Sequence, residues 1–280
     1  MIRPLGHRRT AFALLDTHPH VSEHPRLRAA PSAAPPPACS LVGHAPAVMD
    51  QGAGSQGTGS CEGCGWACGI TTHCTAIGEP LNFVVSPESI YTPARCIERA
   101  AFPEGPNEPL GDDGTDSHAV IRALGSYGVR PMRAPTPDGR YCDCYAPTIN
   151  AEPSLTDLEL ADKTRLFGAY EIAGDQATRA AAIRSCIAAG IPVVIETFVD
   201  TAYMRLGRGA LVDSCDRTDP HGGGHCQVIL AYRTRPDGAS EFLIRNSWGV
   251  DWSDEGSVWC TEAFIASAWN LYAVDVRRQP

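Results

Sequence analysis

The sequence DQGAGSQGTGSCEGCGWACGITTHC spans residues 50 to 74 and places a glycine-rich turn and a cysteine directly before a predicted helix. Cys61 comes at the start of that helix, where the positive end of the macrodipole and unsatisfied backbone N–H groups favour a thiolate over a thiol. The glycines at positions 52, 54, 57 and 59 allow the preceding backbone to approach a bound carbonyl closely. The stretch therefore indicates a nucleophilic cysteine, although a surface loop followed by a packing helix would give the same pattern.

Composition limits the class of protein. With 280 residues and 43% hydrophobic content, the chain can form one large domain or two joined subdomains with a buried core. The net charge of -9 argues against a nucleic-acid partner, which would need a basic face for the phosphates. No segment approaches the roughly 18 apolar residues of a membrane span, so we expect no membrane-spanning segment.

The cysteine content leaves the compartment open. Twelve cysteines are many for a reduced cytosol and favour export with some disulfides, for which Cys142 and Cys144 are candidate partners. The apolar run after Arg8 and Arg9 is too short for a secretory segment of about 7 to 15 residues. Zinc at the cysteines of the opening stretch is a further alternative, but it lacks the two separated two-cysteine knuckles typical of such sites. We expect no metal and no cofactor.

The pattern along the chain divides it into unlike parts. Residues 1–47 contain a proline-rich run and predict a tail or an extended strap, and residues 48–280 form the body. Helical spacing predicts a central helix over 62–77, which buries one narrow face, and further helices starting near Ser86 and over 117–127 and 175–189. Short apolar runs bounded by turn residues predict strands over 192–196, 226–232, 241–245, 257–260 and 270–276. Residues 48–165 are thus mostly helical and residues 166–280 mostly strands, which indicates an α+β protein.

The strand-rich part supplies two candidate partners for the cysteine. His225 follows three glycines and begins a strand, a position that suits a general base that another chain can approach. Asn246 ends a later strand, and its side chain can accept the imidazole N–H and fix the orientation of the ring. Cysteine, histidine and asparagine therefore occur in the order of a nucleophile, a base and an orienting residue.

Five motifs in the same order resemble those of papain-like cysteine peptidases, most closely the bacterial members without a long inhibitory propeptide. Residues 48–52 resemble V-x-D-Q-G, and residues 59–65 resemble G-S-C-x-G-x-G/A. Asp113-Gly114-Thr115 with residues 127–129 resembles the D-x-G-T and Y-G-V segment, and residues 223–225 with 231–232 resemble the histidine strand. Residues 246–256 resemble N-S-W-G-x-x-W-G-x-x-G, with Ser253 in place of the second of its glycines.

The resemblance implies a papain-like fold with a helical left subdomain, an antiparallel β-barrel-like right subdomain and an active-site cleft between them. It implies a cysteine endopeptidase that acts on a peptide or protein through a thiolate–imidazolium pair and an acyl-enzyme. Cys61 would attack, His225 would be its ion-pair partner and acid, and Asn246 would orient the imidazole. The resemblance also implies that Gln51 contributes to the oxyanion hole and that Gly114 and Thr115 contact the substrate. It places Trp248 at the substrate cleft, where it covers the histidine–asparagine hydrogen bond.

Several alternatives stay open. The glutamine of the family usually lies six residues before the nucleophile, whereas Gln51 lies ten before Cys61 and Gln56 five before it; we favour Gln51 with an enlarged loop. Residues 61–67 can also be aligned with Cys64 as the nucleophile. The same fold could serve a transpeptidase or peptide ligase, or a catalytically silent, cysteine-rich binding protein.

Overall fold

The computed structural model describes residues 18–29, 34–53, 57–101, 110–133, 140–145, 149–151, 153–154 and 168–276. Its helices are α1 (Pro25–Ala29), α2 (Cys61–Ala76), α3 (Glu88–Ala101), α4 (Ser117–Tyr127), α5 (Gln176–Ala188), α6 (Thr201–Met204) and α7 (Glu262–Ala266). Its strands are β1 (Ala38–Ser40), β2 (Ala169–Glu171), β3 (Val193–Val199), β4 (Leu211–Val212), β5 (Gly223–Thr234), β6 (Ser240–Arg245), β7 (Ser257–Thr261) and β8 (Asn270–Val274). No helix in these ranges is long and apolar enough to cross a membrane.

The helices begin where the sequence provides caps. The carboxylates of Asp116 and Asp175 accept backbone N–H groups of the first turns of α4 and α5, and the hydroxyl of Ser86 accepts the N–H of Ser89 at the start of α3. Gly128, at φ 81°, ends α4, because its left-handed backbone conformation favours glycine. The predicted helices are therefore observed with ends that differ by one or two residues at most.

The strands form one open sheet in the order β2-β8-β3-β5-β6-β7-β4, and β1 pairs with β5. All pairs are antiparallel except β4 with β7. The α+β class predicted from the sequence is confirmed. The barrel-like closure is wrong, because the sheet ends at β2 and β4 and these strands do not pair with one another.

Helices cover both faces of the sheet and form a hydrophobic core on each side. On one face α2, α3 and α4 pack against Val194, Cys226 and Val274. On the other face α5 and α7 pack against Val193 and Ile195, so successive residues of β3 enter opposite cores. Helix α2 is buried on all sides from Cys61 to Cys74, which corrects the expectation of one narrow buried face.

The strap is part of this sheet. Residues 38–40 pair with residues 231–233 of β5, six to eight residues after His225 in the same strand. The carbonyl of Pro19 accepts the N–H of Glu171 in β2. An earlier part of the strap therefore lies along the edge of the sheet that β2 forms. The boundary between residues 47 and 48 stays a prediction, but the described part of the strap completes the fold.

Candidate active site

Cys61 is the first residue of α2 and is completely buried, with Ser60 as the N-cap residue. The hydroxyl of Ser60 forms no capping hydrogen bond within the helix. The backbone N–H groups of the first turn therefore remain directed toward the space in front of Cys61, which favours negative charge there.

Two glycines of α2 show which way Cys61 faces. A Cβ atom at Gly65 would lie 2.9 Å from Cys226 Sγ, and one at Gly69 would lie 3.5 Å from Val194 and 3.8 Å from Val228. Positions 61, 65 and 69 lie on one face of the helix. Four residues of helix span about 6 Å along the axis, which is close to the length of two residues of a strand. Since Gly69 lies near Val228 and Gly65 near Cys226, Cys61 lies toward the end of β5 that carries His225.

His225 is fixed by the residue that follows β6. Its Nε2 lies 2.8 Å from Asn246 Oδ1, and the same oxygen accepts the N–H of Ser247 at 2.7 Å. A carbonyl oxygen accepts only, so the imidazole donates from Nε2. The tautomer is thereby set, and Nδ1 is the ring nitrogen left to exchange a proton with a nucleophile.

Trp248 covers this pair. Its indole is stacked on the imidazole of His225, with ring centroids 4.5 Å apart and an interplanar angle of 18°. Tyr203 and Trp252 pack around the indole in turn, and all three side chains are buried. The histidine–asparagine hydrogen bond therefore lies in a dry aromatic surrounding, where it is stronger than in water.

Gln51 lies beside the asparagine despite its distance from Cys61 in the sequence. Its Oε1 accepts the hydroxyl of Ser247 at 2.5 Å, and its Nε2 donates to the carbonyl of Thr58 at 2.8 Å. The side chain is completely buried between Ser247 and the turn that leads into α2. An amide nitrogen carries two hydrogens, so it can donate to Thr58 and to a second acceptor. Gln56 lies outside the described residues.

Gly114 and Thr115 are held near the same turn by a pair of residues that the sequence analysis missed. The N–H of Gly114 donates to Tyr91 Oη at 3.1 Å, and Tyr91 donates to Asp112 at 2.6 Å. Asp112 also accepts the N–H of Gly59, two residues before Cys61. Tyr91 and Asp112 therefore connect the predicted substrate segment to the turn before the nucleophile. No sequence motif identifies Asp112 as a functional residue.

A buried polar network joins the two parts of the body beneath this site. The hydroxyl of Ser117 donates to Glu62 at 3.0 Å, and its N–H donates to Glu196 at 2.7 Å. Trp66 donates to the same hydroxyl at 2.9 Å, and Asn270 donates to Glu196. Both glutamates are completely buried. Burial and then the charge of Glu62 raise the pKa of Cys226 well above its usual range, so this neighbour of His225 stays a neutral thiol.

Cys64 lines a small cavity with Cys226 and Asn246, but its sulfur lies beside two other side chains. Its Sγ lies 3.9 Å from Cys142 Sγ and 3.9 Å from Ser60 Oγ. Cys142 and Cys144, the candidate disulfide partners, are both unbonded in the structure. Among the described residues, one set of three metal-ligating side chains has its ligand atoms within 4.8 Å of one another, namely Cys142, Asp143 and Cys144. The cysteines of α2 do not form such a set within that part of the chain.

Comparison with known proteins places the fold. No family model matches the chain. Xylellain, a cysteine protease from Xylella fastidiosa, superposes with a TM-score of 0.72 at 21% identity, covering 99% of this chain and 97% of that one. The procathepsin B S9 of Trypanosoma congolense superposes with a TM-score of 0.69 at 13% identity, covering 98% and 87%. These likenesses show the papain-like fold.

Two curated relatives match a shorter stretch. A probable thiol protease, P34 of Glycine max, is 28% identical over 103 residues, which cover 36% of this chain and 27% of that protein. A cathepsin B-like protein of Giardia intestinalis, CP3, is 32% identical over 96 residues, or 34% of this chain and 31% of that protein. The match thus spans less than a third of each curated relative. The resemblance to papain-like cysteine peptidases drawn from the motifs is confirmed.

Proposed function

We propose that this protein is a cysteine endopeptidase that hydrolyses peptide bonds through an acyl-enzyme formed on Cys61. One observation carries the proposal: His225 and Asn246 form a 2.8 Å hydrogen bond under a stacked tryptophan, at the strand end toward which the first turn of α2 faces. Cysteine protease relatives in the curated set and a papain-like fold support the same reaction.

The geometry supports a role for each residue. The Cys61 thiolate attacks the substrate carbonyl, and the His225 imidazolium then gives its proton to the leaving amine. A water molecule, deprotonated by the same histidine, releases the acyl group. Asn246 keeps Nδ1 directed at the reacting atoms during both steps, because it holds Nε2. The histidine therefore acts first as acid and then as base without changing orientation.

Charge on the tetrahedral intermediate would be met by two donors. The backbone N–H of Cys61 lies at the helix N-terminus, and the Gln51 amide lies beside Ser247 and Thr58. Each preorganised donor of this kind typically contributes about 3 to 4 kcal/mol to the stability of the transition state. Gln51 is favoured over Gln56 because its side chain already lies between the asparagine loop and the turn before Cys61.

Cys61 is favoured over Cys64 because the two cysteines face different parts of the protein. Cys61 shares the helix face of Gly65, which contacts Cys226, whereas the sulfur of Cys64 lies near Cys142. An extended substrate would run past Gly114 and Thr115, with backbone groups of that segment adding hydrogen bonds as at a sheet edge. The N–H of Gly114 is used by Tyr91, so its carbonyl is the group expected to bind substrate.

Labelling with a thiol-directed epoxide, followed by fragmentation of the modified peptide, tests the proposal. We expect one adduct per chain on Cys61, its loss in Cys61→Ala, and its retention in the matched variant Cys64→Ala. Labelling of Cys64, or none at all in a folded protein, would contradict it. Adding an amine during peptide cleavage distinguishes hydrolysis from transpeptidation, because a transpeptidase would give the amide as the main product.

A further inference from the structure

Three thiols form a cluster one helical turn from the predicted nucleophile; we refer to Cys64, Cys142 and Cys144 as the thiol cluster. Each of them is at most 1% exposed. Cys142 lies between the other two, because its sulfur lies 3.9 Å from Cys64 Sγ and accepts the N–H of Cys144 at 3.3 Å. The proposed reaction uses none of the three.

We propose that Cys64 and Cys142 form a disulfide in the oxidised protein, which ties the first turn of α2 to the segment after α4. A disulfide has a sulfur–sulfur distance of about 2.05 Å, so the two sulfurs must approach by about 2 Å. A change of χ1 at a cysteine moves its sulfur by a distance of this order. The bond would hold Cys64 away from the cleft and leave Cys61 as the reacting thiol, a consequence that rests on the proposed function.

Cys144 is the less suitable partner for Cys142. The residue between them, Asp143, accepts hydrogen bonds from the hydroxyl of Ser86 at 2.5 Å and from the N–H of Glu88 at 3.1 Å. These contacts fix the intervening backbone, and a ring closed across one residue would have to distort it. A bond from Cys142 to Cys64 crosses a separation of 78 residues and leaves that backbone in place.

The electrostatics of the cluster favour Cys142 as the attacking sulfur. Hydrogen bonds from the thiols of Cys144 and Cys64 lower the pKa of Cys142 to about 5. The hydrogen bond to Cys142 and burial raise the pKa of Cys64 well above its usual range. Cys142 is therefore the more readily ionised thiol of the pair, and the thiolate is the form that attacks a disulfide.

The thiol cluster is a poor metal site. A metal at Cys142 and Cys144 would need the Asp143 carboxylate as a third ligand. That carboxylate is already bonded to Ser86, Glu88 and Arg130. Its lone pairs are directed at these donors, so binding a cation would break an existing network.

Oxidation requires a two-electron acceptor, for which we name a small-molecule disulfide such as oxidised glutathione. During folding, the Cys142 thiolate attacks one sulfur of that disulfide, forms a mixed disulfide and releases one thiolate. Cys64 then loses its proton and attacks the Cys142 sulfur, which forms the Cys64–Cys142 bond and releases the second small thiol. Two protein thiols are oxidised and one small disulfide is reduced to two thiols, so electrons and protons balance.

Peptide mapping after oxidation tests the proposal without reference to catalysis. The chain is refolded with oxidised and reduced glutathione, blocked with N-ethylmaleimide in denaturant and digested with trypsin. We expect a cross-link between the peptides 29–95 and 141–163, which carry Cys64 and Cys142 respectively. Cys144→Ser and Cys61→Ser should keep this cross-link, and Cys142→Ser and Cys64→Ser should lose it.

Thermal unfolding gives a second measurement. A disulfide that closes a loop of this length should raise the Tm of the oxidised protein by about 5 to 15 °C over the reduced one. The same rise is expected in Cys144→Ser, and it should be absent in Cys142→Ser.

Recovery of Cys64 and Cys142 as separate maleimide adducts would overturn the proposal. A cross-link that survives Cys142→Ser, or stoichiometric zinc that Cys142→Ser removes, would also overturn it. Epoxide labelling of Cys61 is measured separately, so either proposal can fail while the other stands.

Discussion

The indole of Trp248 lies almost parallel to the imidazole of His225, 4.5 Å away between ring centroids. Removing the ring in Trp248→Ala would expose the hydrogen bond to Asn246 and leave a cavity beside Tyr203 and Trp252. We expect kcat to fall about a hundredfold, because the imidazole loses its fixed orientation, and the free energy of unfolding to fall by about 3 to 5 kcal/mol. Trp248→Phe keeps an aromatic ring over the histidine and should retain more activity. Peptidase assays and urea unfolding of both variants check this.

The choice between two cysteines is tested by turnover. Cys61→Ala should lower kcat at least about a thousandfold, because the nucleophile and base act as a unit. Cys64→Ala in reducing buffer should keep most activity, since that sulfur is directed at Cys142. The measurement is hydrolysis of a fluorogenic peptide, with circular dichroism to show that both variants fold. Activity in Cys61→Ala with none in Cys64→Ala would reverse the assignment.

The choice between two glutamines has a similar test. Gln51→Glu keeps the size of the side chain but replaces the N–H donor with negative charge. We expect kcat/KM to fall about 100-fold to 1,000-fold, the loss typical of one oxyanion donor. Gln56→Ala should change kcat/KM little. A strong loss in Gln56→Ala with near-normal kinetics for Gln51→Glu would show that the shorter spacing is the functional one.

Tyr91 tests the substrate segment. Tyr91→Phe removes the hydroxyl that binds Gly114 and Asp112, which leaves the buried N–H of Gly114 without that partner. Unpaired groups of this kind cost about 1 to 3 kcal/mol each. We expect KM for extended peptides to rise about tenfold, because the segment that binds them is no longer held. Steady-state kinetics with short and long peptides would show the effect only for the long ones.

Thiol reactivity should follow the pKa pattern. Burial raises the pKa of Cys186 to about 12, and burial together with Glu62 raises that of Cys226. A raised thiol pKa means that the neutral form persists at any pH below it, so at pH 8 neither residue offers a thiolate. Iodoacetamide should therefore modify Cys61 before Cys186 or Cys226, and reach those two only after unfolding. Mass spectrometry of timed samples would contradict this if Cys226 reacted as fast as Cys61.

The sequence predicts the long elements of this fold well, because their signals are local. Helical spacing predicts α4 at its observed bounds, 117–127, and the structure shows Asp116 and Gly128 at its two ends. Central strands such as β5 are read correctly as apolar runs, but they are longer than predicted, since the pairing of Gly223 and Gly224 with β3 depends on a distant strand.

The remaining features could not be predicted because they depend on contacts between distant segments. Gln51 reaches the site only because an enlarged loop returns at Thr58, a geometry that the spacing alone does not determine. Glu62 and Glu196 are charged residues of a kind usually found at the surface. Their burial depends on hydrogen bonds from residues distant in sequence, among them Ser117 and Asn270. The position of Cys142 could not be predicted either, because its sulfur lies 3.9 Å from that of Cys64, which is 78 residues away in the sequence.

The short strand β1 protects the strand that carries the predicted base. Strand β3 pairs with β5 from Gly223 to Ile229, and Ala38–Ser40 pair with the same strand from Ala231 to Arg233. A chain trimmed to begin at Val48 would leave this edge of β5 with unpaired backbone groups, a ready template for another strand. We therefore expect β1 to keep β5 from pairing with strands of other molecules, and the loss of β1 to appear first as aggregation.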